Sequence, residues 1–517
     1  MGIPSYYKRL IDRFPKLVQR GKTVSDALLM DFNCLIYQCV RSDSLPVYTA
    51  DSRDEWEKAL IEAVKKYTVK VWDEAGRPPK VLIAVDGVVP MAKIRQQRLR
   101  RFKSRWMAAK EVELGVRKGE VWDTNAITPG TEFMEKLGTG LRVLAAARGW
   151  TVSCAAEPGE GEQKVMAWVR ATDLAGKSVV VYGLDADLIV LSLLAITRQQ
   201  VGSWKLLREL TEFQGGKADT FATLDIKELL KLLIPDAMTP AEYIMDYVCG
   251  MSFLGNDFLP HSLSVKMREG GHELLCRTLS ELHKDGKRLV VNEKVNLETV
   301  SALVCMWAKD EEAWIAENFA QKYKMRAPQP RNERERLMSP LDRLPLEWAE
   351  ESAIWSQRGM LVGWEGIYQN KWLRGAGPEQ TVREYVRGLQ WILDYYLGKP
   401  VSFSWYFPWN VPPLWSDLKM EVPRVNVEAN PVTAPVAPQE QLAMVLPMDS
   451  WWLVRDSRLR ALPGKLPAYW PKKFGFFSVG RRWMWECEAE VPILTPTRLR
   501  TVDNHRRGAG NGNNETR

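Results

Sequence analysis

The sequence predicts an α/β fold with a mostly parallel central sheet, and two observations carry that expectation. Short β-rich apolar runs alternate with helical stretches through the first 260 residues, the rhythm of βαβ units with helices on both faces. Four of those runs, SDALLMDFNCLIYQCV (25–40), KVLIAVDG (80–87), WTVSCAAEPGEGE (150–162) and SVVVYGLDADLIVL (178–191), carry acid where the β-rich part stops. Segments 54–72 and 131–148 read as helices between them.

The acidic endings need a reason. In VYGLDADLIVLSLL (181–194), Asp185 and Asp187 interrupt what otherwise reads as core. A strand ending at Gly183, a turn and one capping aspartate would explain one of them but not both. Alternating carboxylates at the carboxyl end of a parallel strand lie at the mouth of the sheet, where such folds keep their sites. Two anions held close repel unless a proton or a cation lies between them. The open readings are thus a metal site, or a cap with a solvated loop. Asp31, Asp86, Glu160 and Glu162 fall at corresponding places, and Asp257 sits in the Gly-Asn-Asp turn of SFLGNDFLPH. If the strands are parallel neighbours, these seven acids converge at one edge of the sheet. Two divalent ions would neutralise them and provide the arrangement used in phosphodiester hydrolysis.

Composition restricts the cation. Seven cysteines without a C-x-x-C pair argue against a zinc ribbon or a disulfide framework. The four histidines, His261, His272, His283 and His505, are not spaced like ligands. Oxygen ligation favours a hard cation, Mg²⁺ or Mn²⁺. Hydrophobic content of 45% and charged content of 26% are ordinary for a globular protein, and a net charge of +8 permits a polyanionic partner without demanding one. No apolar run reaches membrane-spanning length, and no secretory signal is evident. The start, MGIPSY, has Tyr6 where a myristoylation site wants Ser or Thr. The expected location is cytoplasmic, with the nucleus as the alternative.

Beside the acids lies DGVVPMAKIRQQRLRRFKSRW (86–106). After Pro90, residues Lys93, Gln97, Arg100 and Arg101 fall on one helical stripe. Such a run is usually a solvated basic face. Starting so soon after Asp86, it reads instead as a clamp for a terminal phosphate.

At 517 residues the chain exceeds a usual single core. The polar stretch MRAPQPRNERERLMSP (325–340) is the best internal boundary, giving a first domain over 1–330 and a linker over 331–345. A helical, aromatic-rich region follows over 346–503, containing GLQWILDYYLGKPVSFSWYFPWNVPPLW (388–415). Within it, 422–440 reads as a Pro-rich wrapping loop, and 504–517 as a disordered tail. Most of its tryptophans should be packing residues, and Trp451, Trp452, Trp470, Trp483 and Trp485 offer no separate reason to contact a ligand.

These motifs resemble those of the Xrn family of 5′→3′ exoribonucleases, whose nuclease core is of the flap-endonuclease and PIN-like type. MGIPSYYKRLIDRFP, DFNCLIYQC, DGVVPMAKIRQQRLRRF, ITPGTEFM, EPGEGEQKVM, YGLDADLI and GNDFLPHSLSVKMREGG carry the resemblance in the first region. YVRGLQWILDYY, SFSWYFPWNVPP and QEQLAMVLP carry it in the second, which the resemblance makes a conserved region wrapped around the nuclease domain. It implies a processive enzyme that hydrolyses single-stranded RNA from a 5′-monophosphate to mononucleotides, rejects capped ends, and functions in RNA decay. Asp31, Asp86, Glu160, Glu162, Asp185, Asp187 and Asp257 would then be its metal-site acids, holding two Mg²⁺ or Mn²⁺ ions. Lys93, Gln97, Arg100 and Arg101 would receive the 5′-monophosphate. Tyr37 stands where the family usually has a His that stacks on the first bases, and the opposing aromatic is Phe403 or Trp405. Gln163 replaces a usual His, and Met91 a common Arg. The chain is expected to be a minimal member without the long C-terminal extensions, acting as a monomer and recruited by a protein adaptor. The rival readings are a flap-type structure-specific DNA endonuclease and a non-catalytic RNA-binding scaffold.

Overall fold

The computed structural model describes residues 3, 5–117, 119–210, 220–236, 238–325, 329–428 and 430–501, so the expected tail at 504–517 lies outside the described residues. Seven strands form the central sheet: β1 (Val18–Arg20), β2 (Ala27–Asp31), β3 (Lys80–Ala84), β4 (Thr151–Ser153), β5 (Ser178–Tyr182), β6 (Ser203–Glu209) and β7 (Phe221–Asp225). Their order is β1-β7-β6-β5-β2-β3-β4. β2 to β6 pair in parallel, while β7 runs antiparallel to both β6 and β1. The fold is therefore α/β with a mostly parallel sheet. Of the expected helices, 54–72 is realised as Arg53–Glu74 and 131–148 as Glu132–Ala146.

Strands such as ALLMD and SVVVY are continuous apolar runs because both faces of the sheet are covered. Their side chains alternate between two cores. Leu29, Leu82, Val179 and Val181 enter one, and Leu28, Met30, Val81, Ile83 and Val180 enter the other. The second region completes both. Tyr385, Trp391 and Trp415 join the first core, while Leu442, Met444, Trp451, Trp470 and Leu494 join the second. Removing the second region would thus uncover both faces.

The expected linker at 331–345 is instead part of a helix, Glu333–Trp348. Asn332 caps it by accepting from Glu335 N at 2.8 Å. Its charged sequence resembles a linker because only Leu341 and Pro345 are buried. Arg331 pairs with Glu335 and Arg336 with Glu333 along its exposed side, and Arg334 reaches Glu111 at 2.7 Å.

The 422–440 stretch folds back onto the second region and, at its end, reaches the first, where Gln439 Nε2 donates to the Gly130 carbonyl at 2.6 Å. Thr433 bridges to Ser402, and Ser404 N donates to Thr433 Oγ1 at 3.0 Å. The helix that follows, Pro438–Val445, places buried Gln441 so that its Oε1 accepts from Val89 N at 2.9 Å. In the Pro378–Leu397 helix, a Cβ on Gly388 would meet Leu259 and Trp405 at 2.9 Å, so glycine permits this helix to sit against the GNDFLP turn. Among the described residues, no helix is long and apolar enough to cross a membrane.

Candidate active site

The strand order brings the acids together. β5, β2, β3 and β4 are neighbours, and their carboxyl ends point the same way. Asp31 ends β2 opposite Ala84 of β3, with Asp86 two residues further on. Glu160 immediately precedes the Gly161–Ala171 helix, whose first turn carries Glu162. Asp187 opens the Asp187–Arg198 helix just after Asp185. Neither helix has a side-chain cap: Glu160 makes no capping hydrogen bond, and the capping position before Asp187 is Ala186. The simple reading of these acids as helix caps therefore fails.

Glycine and loop pairing set the close approach. A Cβ on Gly161 would lie 2.4 Å from Asp31 Oδ1, so only glycine lets this helix start against the β2 end. Gly161 N donates to Asp86 Oδ1 at 2.7 Å, and Asn33 Nδ2 to Asp86 Oδ2 at 2.7 Å. Lys164 ties the loops after β3 and β4 by donating to the carbonyls of Val85 and Cys154 at 2.7 and 2.9 Å. Asp257 is presented by a turn in which Asn256 Oδ1 accepts from the amides of Phe258 and Leu259, both at 2.9 Å.

Lys93 joins these acids. Its Nζ lies 2.6 Å from Glu160 Oε2 and 2.7 Å from Asp257 Oδ2, with all three side chains buried. A contact absent from the sequence reading comes from the second region: Tyr395 OH donates to Glu160 Oε1 at 2.8 Å. Its stretch, LQWILDYY, reads as core, and only its proximity in the fold reveals the hydroxyl's role.

The cluster holds more negative charge than Lys93 balances. Burial, then repulsion from Asp86, Asp185 and Glu160, holds the Asp31 carboxyl well above its usual range. Burial followed by Glu160 and Asp187 does the same to Glu162. Asp187 is pushed up to about 7 by burial and then by Asp257. Burial also raises Asp86 and Glu160. Asp185 differs in having several cations act on it: burial opposes its charged form, while Lys93 and Arg100 are among the groups that favour it. Among the described residues, Glu162 Oε1 and Asp187 Oδ1 are buried without a hydrogen-bond partner. Crowded, desolvated oxygens of this kind fit a hard divalent cation. No three His, Cys, Asp or Glu groups among the described residues already converge as a closed ligand set, and Lys93 stands between Glu160 and Asp257. The donor chemistry fits a cation, which would have to compete with that amine. The histidines stay apart: His272 meets Tyr247, His283 meets Asp246, and His261 meets the Ser262 carbonyl.

The expected basic stripe lies on the Met91–Glu113 helix. Its first amide, Met91 N, donates to the Phe403 carbonyl at 2.8 Å, which fixes the second region at the helix start. Lys93, Gln97 and Arg101 are buried, and Arg100 is half-buried. Lys93 departs from the expectation of a free phosphate ligand, because the acids already hold it. Gln97 Oε1 and Arg101 Nη1 are buried with no partner among the described residues. Burial lowers Arg101 to about 10, with the half-buried Tyr37 among the groups acting on it. The neighbouring basic residues serve a different end. Arg98 donates to the carbonyls of Pro492 and Met444 at 2.8 Å and to that of Tyr469. Lys103 donates to the carbonyls of Trp485 and Cys487 at 2.7 and 2.6 Å.

Of the two aromatic candidates, Trp405 is packed: it is 7% exposed, lies 5.2 Å from Trp391, and donates to Glu384 at 3.2 Å. That burial removes it as an open stacking face, leaving the half-buried Phe403. Gln163, where a family His was expected, has a buried Nε2 without a partner. Trp451 and Trp470 are core, as expected, whereas Trp485 is exposed.

Residues 1–209 match the family described as the XRN 5′-3′ exonuclease N-terminus, and residues 240–346 and 368–506 match the Xrn1 helical domain. The second match begins well before the expected boundary at 330, consistent with cores that both regions share. Human 5′-3′ exoribonuclease 1 is 28% identical over 96% of this chain. The 5′-3′ exoribonuclease 2 of Arabidopsis thaliana and its homolog in Drosophila melanogaster are each 25% identical over 96%. The chain spans 34% of the human protein's length, 66% of the Arabidopsis protein's and 70% of the fly protein's. With both family segments matched in order along most of its length, and with the mostly parallel α/β sheet beneath them, this chain belongs to the Xrn exonuclease family.

Proposed function

We propose that the chain is a metal-dependent 5′→3′ exoribonuclease that hydrolyses 5′-monophosphorylated RNA to mononucleotides in RNA decay. The observation that carries this reading is the closure of the acid cluster by the second region. Tyr395 reaches Glu160, and Phe403 holds the start of the basic helix. A site closed there favours a strand entering by its end over a duplex passing through, which is the requirement that separates this reading from a flap-type endonuclease. In this arrangement residues 1–330 supply the chemistry and 346–503 shape the entrance.

Asp31, Asp86, Glu160, Glu162, Asp185, Asp187 and Asp257 would hold two Mg²⁺ or Mn²⁺ ions, which when bound activate water and offset charge on the attacking and leaving oxygens. The chain's own groups do the positioning. Arg101 brings an unused donor, Nη1, to a buried face of the helix, suited to a terminal phosphate, and Gln97 lies beside it on the same face. Arg100, half-buried on the same helix, adds a second guanidinium, and Tyr37 and Phe403 offer aromatic faces to the leading bases. Lys93 offsets Glu160 and Asp257, and its release would follow when other positive charge takes those oxygens.

The test is the ratio of initial decay rates on matched RNAs with a 5′-monophosphate, a 5′-hydroxyl or a 5′-triphosphate, with and without Mg²⁺. Fast, Mg²⁺-dependent release of mononucleotides from the monophosphate form alone is expected. Cleavage of a circular RNA or of a DNA flap would overturn the reading in favour of an endonuclease. Binding without turnover would leave a scaffold.

A further inference from the structure

We propose that a cavity beside the acid cluster receives the nucleoside 5′-monophosphate released by hydrolysis, an inference that rests on the exonuclease reading above. The cavity has a volume of about 290 Å³ and lies between the Met91–Glu113 helix, the turn at 255–261 and the 481–488 stretch of the second region. Asp257 and Arg100 line it, so it adjoins the candidate site directly.

Its charges are unevenly matched. Asp257 is engaged by Lys93 at 2.7 Å, and Glu486 by the amides of Arg482 and Trp483 and by Arg268 at 3.1 Å. Glu488 lies 3.9 Å from Arg95. Lys103 spends its donors on two carbonyls. Arg481 is different. It is 7% exposed, its Nε has no hydrogen-bond partner among the described residues, and its guanidinium faces the Phe477 ring at 5.5 Å. Neither Arg481 nor Arg100 has an ion pair among the described residues. A guanidinium buried without a counter-charge is costly, and an anion in the cavity would satisfy it.

The remaining walls narrow the class of anion. Trp485 stands at the rim with 51% of its surface exposed, and Arg268 lies over its ring at 5.2 Å. Phe258 adds a second aromatic wall. An aromatic face beside an uncommitted guanidinium suits a base and a phosphate on one molecule. The volume is at the low end of small-ligand clefts, roughly 300–1,000 Å³, which suits one nucleotide and excludes a strand.

The reaction supplies such a molecule at this place. Water attacks the first internal phosphorus and the bond to the 3′ oxygen breaks. That oxygen leaves with a proton on the released nucleotide, which keeps its 5′-phosphate. The attacked phosphate becomes the new 5′ end of the shortened RNA. Both 5′-phosphates need the same basic pocket, so the first must leave before the second can enter. Arg100 lines the cavity together with Arg481, so a second guanidinium can take the phosphate there.

Calorimetric titration of the full chain with adenosine 5′-monophosphate and with inorganic phosphate tests this. Arg481→Gln should weaken mononucleotide binding by about tenfold or more. Trp485→Ala, an exposed change that leaves the fold available should Arg481→Gln not fold, should weaken it by about fivefold or more and leave phosphate binding unchanged. Binding indifferent to both changes overturns the inference. So does binding lost in Arg101→Ala but kept in Arg481→Gln, which would put the nucleotide in the end-recognition pocket. Sensitivity to Arg481 without any preference for the nucleotide over phosphate overturns the nucleotide assignment. RNA decay by the same preparation separates the two levels. Decay of 5′-monophosphorylated RNA with binding indifferent to Arg481 and Trp485 defeats the cavity alone, whereas absence of decay defeats the functional reading and the product site with it.

Discussion

Neighbouring positions on the Met91–Glu113 helix use the same residue type in opposite ways. Arg98 is 0% exposed and Arg101 is 6% exposed, and burial lowers them to about 9 and about 10. Arg98 has spent its donors on three carbonyls of the second region and lies over the Phe102 ring at 4.7 Å. Arg101, three residues on, has an Nη1 with no partner. Desolvating a charge without hydrogen bonds is unfavourable, so a fold tolerates it where a ligand will supply them. Burial and basicity alone do not distinguish the clamp from the site; the count of satisfied donors does. The acids obey the same rule, since Asp86 has both oxygens engaged while Glu162 and Asp187 each have one buried oxygen without a partner.

The comparison is sharpest where the unsatisfied atoms are removed. Asp187→Ala should lower turnover at saturating Mg²⁺ by at least about a hundredfold while RNA binding survives, because even partners of metal ligands are worth that much. Near-normal turnover would mean that its unpartnered oxygen has no chemical use. The two arginines should then separate cleanly. Arg98→Met leaves three carbonyls without their donor and should cost about 3 kcal/mol or more of stability, read as a fall in the denaturation midpoint. Arg101→Met should leave that midpoint unchanged or slightly higher, and reduce the preference for 5′-monophosphate over 5′-hydroxyl ends by roughly tenfold or more. Equal loss of stability in both variants would break the distinction.

Much of this was legible in the sequence, for reasons that particular residues show. Asp31, Asp86, Glu160 and Asp185 could be placed because parallel strands buried on both faces read as apolar runs, and acid at their ends is conspicuous. The antiparallel edge was less visible: β1 has three residues and an exposed pattern, and β7 is a short run whose terminal Asp225 only caps the next helix, accepting from Glu228 N at 3.1 Å. Helical spacing puts Arg98 and Arg101 in the same basic run, and nothing local tells them apart. Arg98's partners are carbonyls more than 340 positions away. Lys93 is likewise bound by Glu160 and Asp257, which only the fold brings near. The helix at Glu333–Trp348 reads as a linker because its stability lies in a cap and surface pairs, with little apolar stripe.

A smaller effect should follow from the titration of the acids. With no metal, Asp187 is held up at about 7 by burial and by Asp257. A carboxyl raised on folding binds its proton more tightly in the folded state. Its contribution to stability is therefore present below the ordinary carboxyl range and is lost as pH rises from about 4 to about 7. Metal-free protein should become less stable over that window. Mg²⁺ should restore stability most at about pH 8, by about 2–3 kcal/mol at a hundredfold excess over its dissociation constant, and little at about pH 5.5. A stabilisation by Mg²⁺ that is independent of pH would place the cation elsewhere.

The smallest expected effect concerns two adjacent tyrosines, and it runs opposite to the arginine comparison, because here the group that has a partner is the one bonded to the acids. Tyr395 donates to Glu160 Oε1 at 2.8 Å, whereas the hydroxyl of Tyr396 is buried with no partner among the described residues. Both hydroxyls are held well above their usual range, Tyr395 by burial and then Glu160, Tyr396 by burial and then Asp187 and Glu162. Each therefore faces the acids as a neutral group, and only Tyr395 has an oxygen to hold. A hydrogen bond of this kind contributes about 0.5–1.5 kcal/mol, so Tyr395→Phe should lower kcat by roughly two- to tenfold. If Tyr395 acts by positioning Glu160, the Mg²⁺ concentration giving half-maximal rate should rise in the same variant. A purely structural tyrosine would shift the denaturation midpoint and leave that concentration alone. Tyr396→Phe removes a hydroxyl that pairs with nothing, and should leave rate and Mg²⁺ dependence unchanged with stability equal or slightly improved. Identical behaviour of the two variants would show that the Tyr395–Glu160 contact has no influence on the acids, and that the second region closes the site without tuning it.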